Sequence, residues 1–438
     1  MKINPAVLQV LPTEIIIKYG LLPLAFDENT LTVAVGEALD WQVLDDLRQL
    51  TGKRIIVKQL PTDEISINLN RFLFNHDKEE VVANSIISFV DKILVKAVKE
   101  KASDLHFEAE ENAWRIRLRI DGILIELVAP PGISYLEVVS RLKILAGLDI
   151  SKKKEPLEGR FRRKIANSIV DFRLVAIPAL YGEKIVIRIL DKERMSFDLN
   201  QLGLAEVNLV KITKLLARPQ GLILISGPTG SGKTTTIYSM LQHLKSSEKS
   251  LTTLEDPIEY TLSGITQISI EGKLTFGGVL KSLLRQDPDI IMIGEIRDQE
   301  TAQIALRAAT TGHLVLASIH TTTAPQGVSR LIDLGVEPYL IRSGLVGLLC
   351  QRLVRKKCAC IAGCTHCNLS GYRGRTIIQE VVEVTPRLVQ LIHEQFDEQQ
   401  FIRTASQEGY RPLMLEAERL CAEGITDQQE IARVIYSP

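Results

Sequence analysis

A buried strand that runs directly into a glycine-rich loop and then a helix narrows the possible folds of this chain more than any other segment. The apolar run Leu222-Ile223-Leu224-Ile225 is followed by the pattern G-x-x-x-x-G-K-[ST] over residues 227–234 (GPTGSGKT). Such a loop joins a strand to a helix inside a parallel sheet that is covered by helices on both faces. The segment therefore predicts an α/β domain with a phosphate-binding loop.

The residue types in this loop are those that phosphate binding requires. Glycines let backbone N–H groups converge on phosphate oxygens, and the N-terminus of the following helix adds a positive dipole. We expect Lys233 to reach the outer phosphates of a bound ATP and Thr234 to offer its hydroxyl to Mg²⁺. A glycine-rich turn that binds nothing is the alternative. The candidate nucleotide-binding residues are Gly227, Pro228, Thr229, Gly230, Ser231, Gly232, Lys233, Thr234 and Thr235.

Three domains are expected from the length and from changes of pattern along the chain. At roughly 150 residues per domain, 438 residues correspond to about three domains. Residues 1–75 predict a small α/β unit, residues 84–192 an α+β unit, and residues 193–438 the parallel α/β domain. A polar stretch at residues 74–80 is expected to link the first two.

Hydrophobic spacing gives finer expectations for the amino-terminal part. Residues 12–14 are expected to open a helix, residues 31–35 and 55–57 to form strands, and residues 41–50 to form a second helix. A further helix is expected from Asn84 onward. The first 100 residues are thus predicted to fold rather than to form a tail.

Charge and composition exclude several classes of protein. Lys plus Arg and Asp plus Glu both number 53, so the formal net charge is zero and binding of nucleic acid by the whole molecule is not expected. With 45% apolar residues the chain is not expected to be largely disordered. No apolar run approaches the roughly 18 residues that span a bilayer. We therefore expect a cytosolic protein that touches a membrane only through partners.

Acidic side chains follow two further apolar strands of the predicted parallel sheet. Glu255 and Glu259 come at the end of one strand and Glu295 at the end of another. Because the carboxyl ends of parallel strands meet at one edge of a sheet, we expect these carboxylates to lie beside the phosphate-binding loop. Glu295 is expected to be the Mg²⁺-linked or water-activating carboxylate, with Glu255 and Glu259 as its partners. Helix capping or plain solvation is the alternative. His320 comes at the end of a fourth apolar strand and is expected to sense the γ-phosphate or to couple one nucleotide site to another. A purely structural role is the alternative.

Together these segments resemble the secretion ATPases of type II secretion and type IV pilus assembly, a branch of the RecA-like P-loop ATPases. Besides the loop, the resemblance rests on residues 253–260 (TLEDPIEY), 284–298 (LRQDPDIIMIGEIRD) and 311–321 (TGHLVLASIHT). It covers residues 84–438 well and residues 1–75 more loosely. The resemblance implies a RecA-like ATPase domain preceded by a PAS-like α+β domain and a small amino-terminal domain.

The second predicted domain contains a row of arginines. Arg115, Arg117 and Arg119 alternate with apolar residues, which places them on one face of a strand, where like charges repel unless an anion faces them. A solvated sheet face is one interpretation. The resemblance implies another, in which arginines of this domain reach the ATP of a neighbouring subunit. Arg117 and Arg119 match one family segment, and residues 171–173, with Arg173, and 182–188 match two more, so which arginine reaches the phosphate stays open. Residues 154–160 depart from the family, which usually has a Gln-Asp pair before Gly-Arg.

Four cysteines lie within ten residues and predict a metal site. The ligands would be Cys358, Cys360, Cys364 and Cys367, a set suited to a tetrahedral structural Zn²⁺. Reduced, metal-free thiols are the alternative, and His366 is a possible substitute ligand. Family members carry two C-x-x-C pairs with a long loop between them, whereas here the first pair is C-x-C and the loop is nearly absent. Cys350 and Cys421 lie in apolar contexts of helical spacing and are expected in the core.

The resemblance implies a hexameric, cytoplasmic ATPase, peripheral to the inner membrane, that moves an inner-membrane platform protein and thereby adds subunits to a pilus or pseudopilus. Residues 1–75 lack the Arg-Leu-Gly motif of relatives that bind cyclic di-GMP, so docking to a membrane-associated partner is expected of them. A pilus retraction motor is one alternative, although such motors generally lack the first domain and the cysteines. A nucleotide-binding scaffold with little turnover is another. A nucleic-acid translocase would need basic, aromatic pore loops, and no such run stands out.

Overall fold

The structure of the protein is a computed structural model. The described residues are 7, 10–11, 15–16, 19–36, 39–61, 65, 86–127, 129, 132–166, 168–191, 197–360, 364, 367 and 370–435. The chain divides into two compact units, one made of residues 1–194 with 357–374 and the other of residues 195–356 with 375–438. Within the described residues, no helix is long and apolar enough to cross a bilayer.

The first sheet of the amino-terminal unit has three strands, β1 (Leu22–Phe26), β2 (Thr30–Val35) and β3 (Arg54–Gln59), with helix α1 (Trp41–Thr51) between the last two. Strand β2 pairs antiparallel with β1 and parallel with β3. The predicted strands and the helix at residues 41–50 are confirmed, and β1 is an additional strand. The predicted helix start at residues 12–14 and the predicted linker at residues 74–80 lie outside the described residues.

The second sheet of this unit is antiparallel and has six strands. Its spatial order is β6-β5-β4-β9-β8-β7. Its strands are β4 (Asp104–Ala109), β5 (Trp114–Ile120), β6 (Ile123–Leu127), β7 (Leu157–Ile165), β8 (Ser168–Ala179) and β9 (Gly182–Asp191). Apolar residues of alternate positions pack with helices α2 (Ile86–Lys99) and α3 (Tyr135–Leu145) in one core, which leaves the polar positions of the strands on the opposite face. The predicted helix near Asn84 is described from Ile86 onward.

The second unit is built on a seven-stranded sheet in the order β12-β11-β13-β14-β10-β15-β16. Its strands are β10 (Gly221–Ser226), β11 (Leu251–Glu255), β12 (Thr266–Ser269), β13 (Ile290–Ile293), β14 (Leu314–Ile319), β15 (Leu345–Lys357) and β16 (Tyr372–Glu383). The five strands β10 to β14 are joined by parallel pairing, and β10 also pairs parallel with β15. The parallel sheet that the sequence predicted is therefore present.

The apolar runs of the central strands serve two cores at once. In β10, Leu222 and Leu224 belong to one core cluster, whereas Ile223 and Ile225 belong to the cluster on the other face. All six residues of this strand are buried. This double burial explains why the central strands are continuous apolar runs rather than alternating ones.

Helices cover the sheet and continue to the end of the unit. They are α4 (Glu206–Leu216), α5 (Lys233–Leu244), α6 (Phe276–Leu283), α7 (Gln299–Thr310), α8 (Gln326–Asp333), α9 (Pro338–Gly344), α10 (Pro386–Gln390), α11 (Glu398–Gln407), α12 (Leu413–Ala422) and α13 (Gln428–Val434). Phe401 and Leu420 join the larger core cluster, which ties the last helices to the sheet. Cys350 is buried as expected, but it lies in strand β15 rather than in a helix.

Candidate nucleotide-binding site

The phosphate-binding loop connects the end of β10 to the start of α5. Gly227, Gly230 and Gly232 have φ values of 142°, 79° and 89°, a region that residues with a Cβ rarely adopt. A Cβ on Gly227 would lie 2.6 Å from both the Gln351 carbonyl oxygen and Ser231 Oγ. The backbone of the loop is therefore compatible only with the glycine pattern, and it opens directly onto the N-terminus of a 12-residue helix.

A buried amide pair supports this loop from strands β15 and β16. Gln351 Nε2 donates to the Ser231 carbonyl oxygen at 2.9 Å, and Gln379 Nε2 donates to Gln351 Oε1 at 3.2 Å. The two glutamines are 0% and 2% exposed. Sequence reasoning missed both, because no motif marks them and they lie more than 100 positions after the loop.

Lys233 lies at the first position of α5 and points back over the loop. Its Nζ donates to the carbonyl oxygens of Gly227 at 2.6 Å and Pro228 at 3.2 Å. Burial lowers the pKa of Lys233, and the nearby Glu295 carboxylate partly opposes that effect. The ammonium group is thus held where phosphate oxygens at the helix N-terminus would meet it.

Glu255 ends strand β11 and is 3% exposed. Its oxygens accept hydrogen bonds from Tyr238, from Thr253 at 2.6 Å and from Gln267 at 3.0 Å. Burial raises the pKa of Tyr238, and the Glu255 carboxylate raises it further, so the phenol stays a donor. Glu255 is therefore firmly held, and Glu259 lies four residues beyond it in the same acidic segment.

Glu295 follows β13 and connects two other polar side chains of the site. Arg297 Nε donates to Glu295 Oε2 at 2.6 Å, and His320 Nε2 lies 3.2 Å from Glu295 Oε1. The side chain of Glu295 is 20% exposed, whereas that of His320 is 47% exposed. The carboxylate is thus accessible but oriented, and His320 contacts it from the end of the neighbouring strand β14.

One pocket brings most of the predicted residues together. Lys233, Thr234, Glu255, Glu259 and Glu295 all line it. The remaining lining residues are Ile237, Asp256, Pro257, Phe276, Met292, Gly294, Arg297 and Ser318. The carboxylates outnumber the cations, and with the Thr234 hydroxyl they form the hard oxygen donor set that Mg²⁺ prefers.

The segment after His320 is held by buried groups that sequence reasoning also missed. Arg352 Nη2 donates to the Thr322 carbonyl oxygen at 2.7 Å. Glu380, 1% exposed, accepts from Ala324 N and from Tyr410 Oη at 2.8 Å. Burial raises the pKa of Glu380, and these hydrogen bonds oppose the rise. The carboxylate of Glu380, in strand β16, therefore links the carboxyl-terminal helices to the loop that carries His320.

The arginines of β5 face acidic partners on the adjacent strand β4. Glu108 accepts from Arg117 at 2.8 Å and from Arg115 at 3.1 Å, and Lys184 Nζ lies 2.9 Å from it. Burial alone would raise the pKa of Glu108, but these cations outweigh burial and lower the pKa to about 2. The anion that the sequence pattern called for is thus present within the same sheet.

Arg119 belongs to a second row that crosses five strands. Cross-strand register aligns Arg160, Arg173, Arg188, Asp104 and Arg119 in that order. Paired neighbours share a face, so the row itself contains four arginines and one aspartate. Asp104 lies 3.4 Å from Arg188 Nε and 3.6 Å from Arg119 Nε. The row therefore brings several guanidinium groups together on the polar face of the sheet.

The four predicted cysteines form one cluster. Their sulfur atoms all lie within 4.8 Å of one another. Three separations are 3.5 Å for Cys360 to Cys367, 3.7 Å for Cys364 to Cys367 and 3.8 Å for Cys358 to Cys364. A tetrahedral zinc with Zn–S bonds of about 2.3 Å places its sulfurs about 3.8 Å apart. The cluster therefore fits a tetrahedral metal, while His366 lies outside the described residues.

Comparison with known proteins gives consistent matches. Residues 79–433 match the family described as type II/IV secretion system protein, and residues 1–78 match the MshEN domain. Type II secretion system protein HxcR of Pseudomonas aeruginosa is 43% identical over 361 residues, which cover 80% of this chain and 77% of the relative. Type IV pilus assembly ATPase PilB of Myxococcus xanthus is 35% identical over an alignment of 491 residues. This alignment covers 98% of this chain and 86% of the relative.

A solved structure matches the fold as well. The pilus retraction motor PilT, determined with bound ADP, aligns with a TM-score of 0.58 and 26% sequence identity. The alignment covers 79% of this chain and 97% of that chain.

Proposed function

Because this chain belongs to the type II/IV secretion system protein family, we propose that it is a hexameric ATPase that powers assembly of a type IV pilus or type II secretion pseudopilus. ATP hydrolysis is the activity of this family. The observation that carries the proposal is the pocket in which Lys233 and Thr234 face the carboxylate of Glu295. Assembly rather than retraction is favoured by the alignment with the assembly ATPase relative, which covers 98% of this chain, and by the match of residues 1–78 to the MshEN domain.

ATP is bound in this proposal by the loop from Gly227 to Thr235. Backbone N–H groups and the α5 dipole hold the phosphates, and Lys233 exchanges loop carbonyls for outer phosphate oxygens. Thr234 and the pocket carboxylates would hold Mg²⁺, which screens the phosphate charge. Because the pocket is rich in carboxylates, free ATP would be repelled and a metal-bound nucleotide favoured.

Glu295 is assigned to orienting the attacking water, with Glu259 as its partner in the pocket. Glu295 is accessible and is aligned by Arg297 and His320. Glu255 is assigned to shaping the pocket, because its oxygens already accept hydrogen bonds from three side chains. His320 would report changes at Glu295 to the loop that follows it.

Arginines of the antiparallel sheet are assigned to a neighbouring subunit's nucleotide. Arg119 and Arg173 lie in the cross-sheet row of four arginines and one aspartate, and this density of guanidinium groups on one face favours contact with a phosphate anion. Charge that develops on the phosphates during hydrolysis is the anion that fits, as for other arginine fingers. Activity then requires subunits to assemble.

The finer architecture and the partners are also part of the proposal. We assign residues 193–438 to a RecA-like ATPase domain, residues 84–192 to a PAS-like domain and residues 1–75 to a docking domain. The cluster of Cys358, Cys360, Cys364 and Cys367 would hold a structural Zn²⁺, since its sulfur spacing fits that ion. An inner-membrane platform protein is the proposed partner, which places the hexamer at the cytoplasmic face of that membrane.

Substitution of Glu295 tests the hydrolytic part of this proposal. Glu295→Gln keeps the size of the side chain but removes the carboxylate, so we expect kcat to fall about 100-fold or more while ATP affinity changes little. Glu300→Gln is the matched control, because Glu300 lies on α7 and pairs with Lys281 rather than lining the pocket. Equal kcat for Glu295→Gln and the control would refute the assignment. If the wild-type protein binds ATP but does not hydrolyse it, the result would instead support the alternative of a nucleotide-binding scaffold with little turnover.

A further inference from the structure

The segment that carries the cysteines is in contact with the turn between β5 and β6. Gly374 N donates to Asp121 Oδ2 at 2.7 Å. One residue earlier, Arg373 Nη1 lies 3.4 Å from Glu100 Oε2. Residues 357–374 accordingly group with the antiparallel sheet unit rather than with the strands that flank them.

The same turn holds the guanidinium group of Arg119. Asp121 and Gly122 have φ values of 48° and 88°, so the turn depends on two residues in the left-handed region. Arg119 Nη1 donates to the Gly122 carbonyl oxygen at 3.1 Å. Any change in this two-residue turn therefore moves an acceptor of Arg119.

The cysteine cluster in turn holds the backbone that reaches Asp121. Cys358 N donates to the Gly371 carbonyl oxygen at 2.8 Å. Ser370 Oγ donates to the carbonyl oxygens of Cys367 at 2.6 Å and Tyr372 at 2.9 Å. Binding of one metal ion by the four sulfurs would fix Cys358 and Cys367 at once, and with them the backbone that these residues contact at Ser370 and Gly371.

We propose that metal binding at the cysteine cluster orders the β5–β6 turn through Asp121 and thereby positions Arg119. Asp121 is a positioning residue in this account, since it contacts the cysteine segment and not the nucleotide. The inference rests on the proposed role of Arg119 in ATP hydrolysis. It assigns the cysteine cluster a regulatory task, because loss of the metal would release an arginine that hydrolysis needs.

Hydrogen exchange of the full-length protein tests the inference without relying on activity. The zinc-loaded protein is compared with chelator-treated protein, and zinc content is measured in each sample. We expect amide exchange in residues 118–124 to rise about tenfold on chelation, the effect of losing one hydrogen bond to a charged acceptor. Exchange in helix α3 should not change, because α3 has no part in the turn.

Asp121→Asn separates metal binding from positioning. Asparagine tolerates the left-handed backbone but offers a neutral acceptor, so the variant should fold and keep its zinc. We expect fast exchange in residues 118–124 with or without zinc, and a lower kcat with unchanged KM for ATP. Asp149→Asn is the control, because Asp149 caps a different turn through Ser151. Exchange in the turn that is equal with and without zinc, or equal in Asp121→Asn and wild type, would overturn the inference.

A separate variant distinguishes this inference from the proposed function. If Arg119→Ala leaves kcat unchanged while zinc still orders the turn, the catalytic assignment of Arg119 fails and the metal-dependent ordering stands. If Arg119→Ala lowers kcat but zinc has no effect on the turn, the inference fails and the proposed function stands. Protein that holds no zinc and nevertheless shows a protected turn also overturns the inference.

Discussion

Replacing Glu380 by glutamine should loosen the loop that carries His320 without touching the phosphate-binding loop. The Glu380 carboxylate is 1% exposed and accepts from Ala324 N, from Tyr410 Oη at 2.8 Å and from Leu413 N at 2.9 Å. These donors belong to two separate segments of the second unit, the loop after β14 and the junction between α11 and α12. The carboxylate is therefore the shared acceptor that holds those segments together.

The size of the effect follows from the count of acceptors. A glutamine oxygen placed at Oε2 keeps the hydrogen bonds from Tyr410 and Leu413, but its NH₂ group then faces the N–H of Ala324. A buried donor left without an acceptor costs about 1–3 kcal/mol. A middle value of about 2 kcal/mol corresponds to roughly a 30-fold increase in local opening at the Ala324 amide.

Amide exchange and steady-state kinetics measure the two consequences. For Glu380→Gln we expect exchange in residues 321–327 to rise about 30-fold and kcat to fall about tenfold, with KM for ATP within about twofold, because the hydrogen-bond donors described for Glu380 lie outside the phosphate-binding loop. Glu383→Gln is the control on the same strand, where the carboxylate pairs with Lys214 and Arg218 near the surface. Wild-type exchange in Glu380→Gln, or a raised KM with unchanged kcat, would refute the reasoning.

Three further predictions concern the loop, the acidic cluster and the cysteines. Gly227→Ala should abolish ATP binding measured by fluorescent nucleotide, because its Cβ would lie 2.6 Å from a backbone oxygen. Gly272→Ala is the control: it carries similar backbone strain, with φ of 66°, but its Cβ would meet open space, so it should bind ATP normally. Glu108→Gln should reduce the free energy of unfolding at pH 7 by about 3 kcal/mol. The pKa of Glu108 is lowered from 4.5 to about 2 in the folded state, so the ionised carboxylate stabilises the folded state above pH 4.5. The difference from wild type in denaturant unfolding should narrow as pH falls from 4.5 toward 2; a constant difference would contradict the cause. Cys364→Ser should lower zinc content from about one ion per chain to near zero by metal analysis, and zinc-free wild-type protein would contradict the site.

The chemistry at the edge of the parallel sheet was predictable from the sequence because two local rules coincide there. A glycine-rich loop specifies its own backbone, and parallel strands bring their carboxyl ends to one edge. Lys233, Glu255 and Glu295 could therefore be placed in one pocket without knowing any contact between them. The four cysteines were predictable for a similar reason, since ten residues of chain cannot separate them far.

The supports of the site were not predictable, because they depend on register and on distant pairing. Gln351 and Glu380 carry no motif and become important only when β15 and β16 align beside β10. The arginines of β5 show the same limit, since their spacing predicted one charged face but not that Glu108 lies opposite. Cys350 was assigned to a helical context because a buried strand and a buried helix have similar apolar compositions.

In the proposed ring the nucleotide and the arginine come from different subunits, and co-assembly of two inactive variants tests this arrangement. Lys233→Ala lacks the phosphate contact and Arg119→Ala lacks the proposed trans group, so each alone should be nearly inactive. In rings of both variants mixed equally, about one quarter of the interfaces join an intact lysine to an intact arginine. The account predicts that co-purified mixtures recover about a quarter of wild-type ATPase activity per subunit. Mixed rings with no more activity than the variants alone would contradict it.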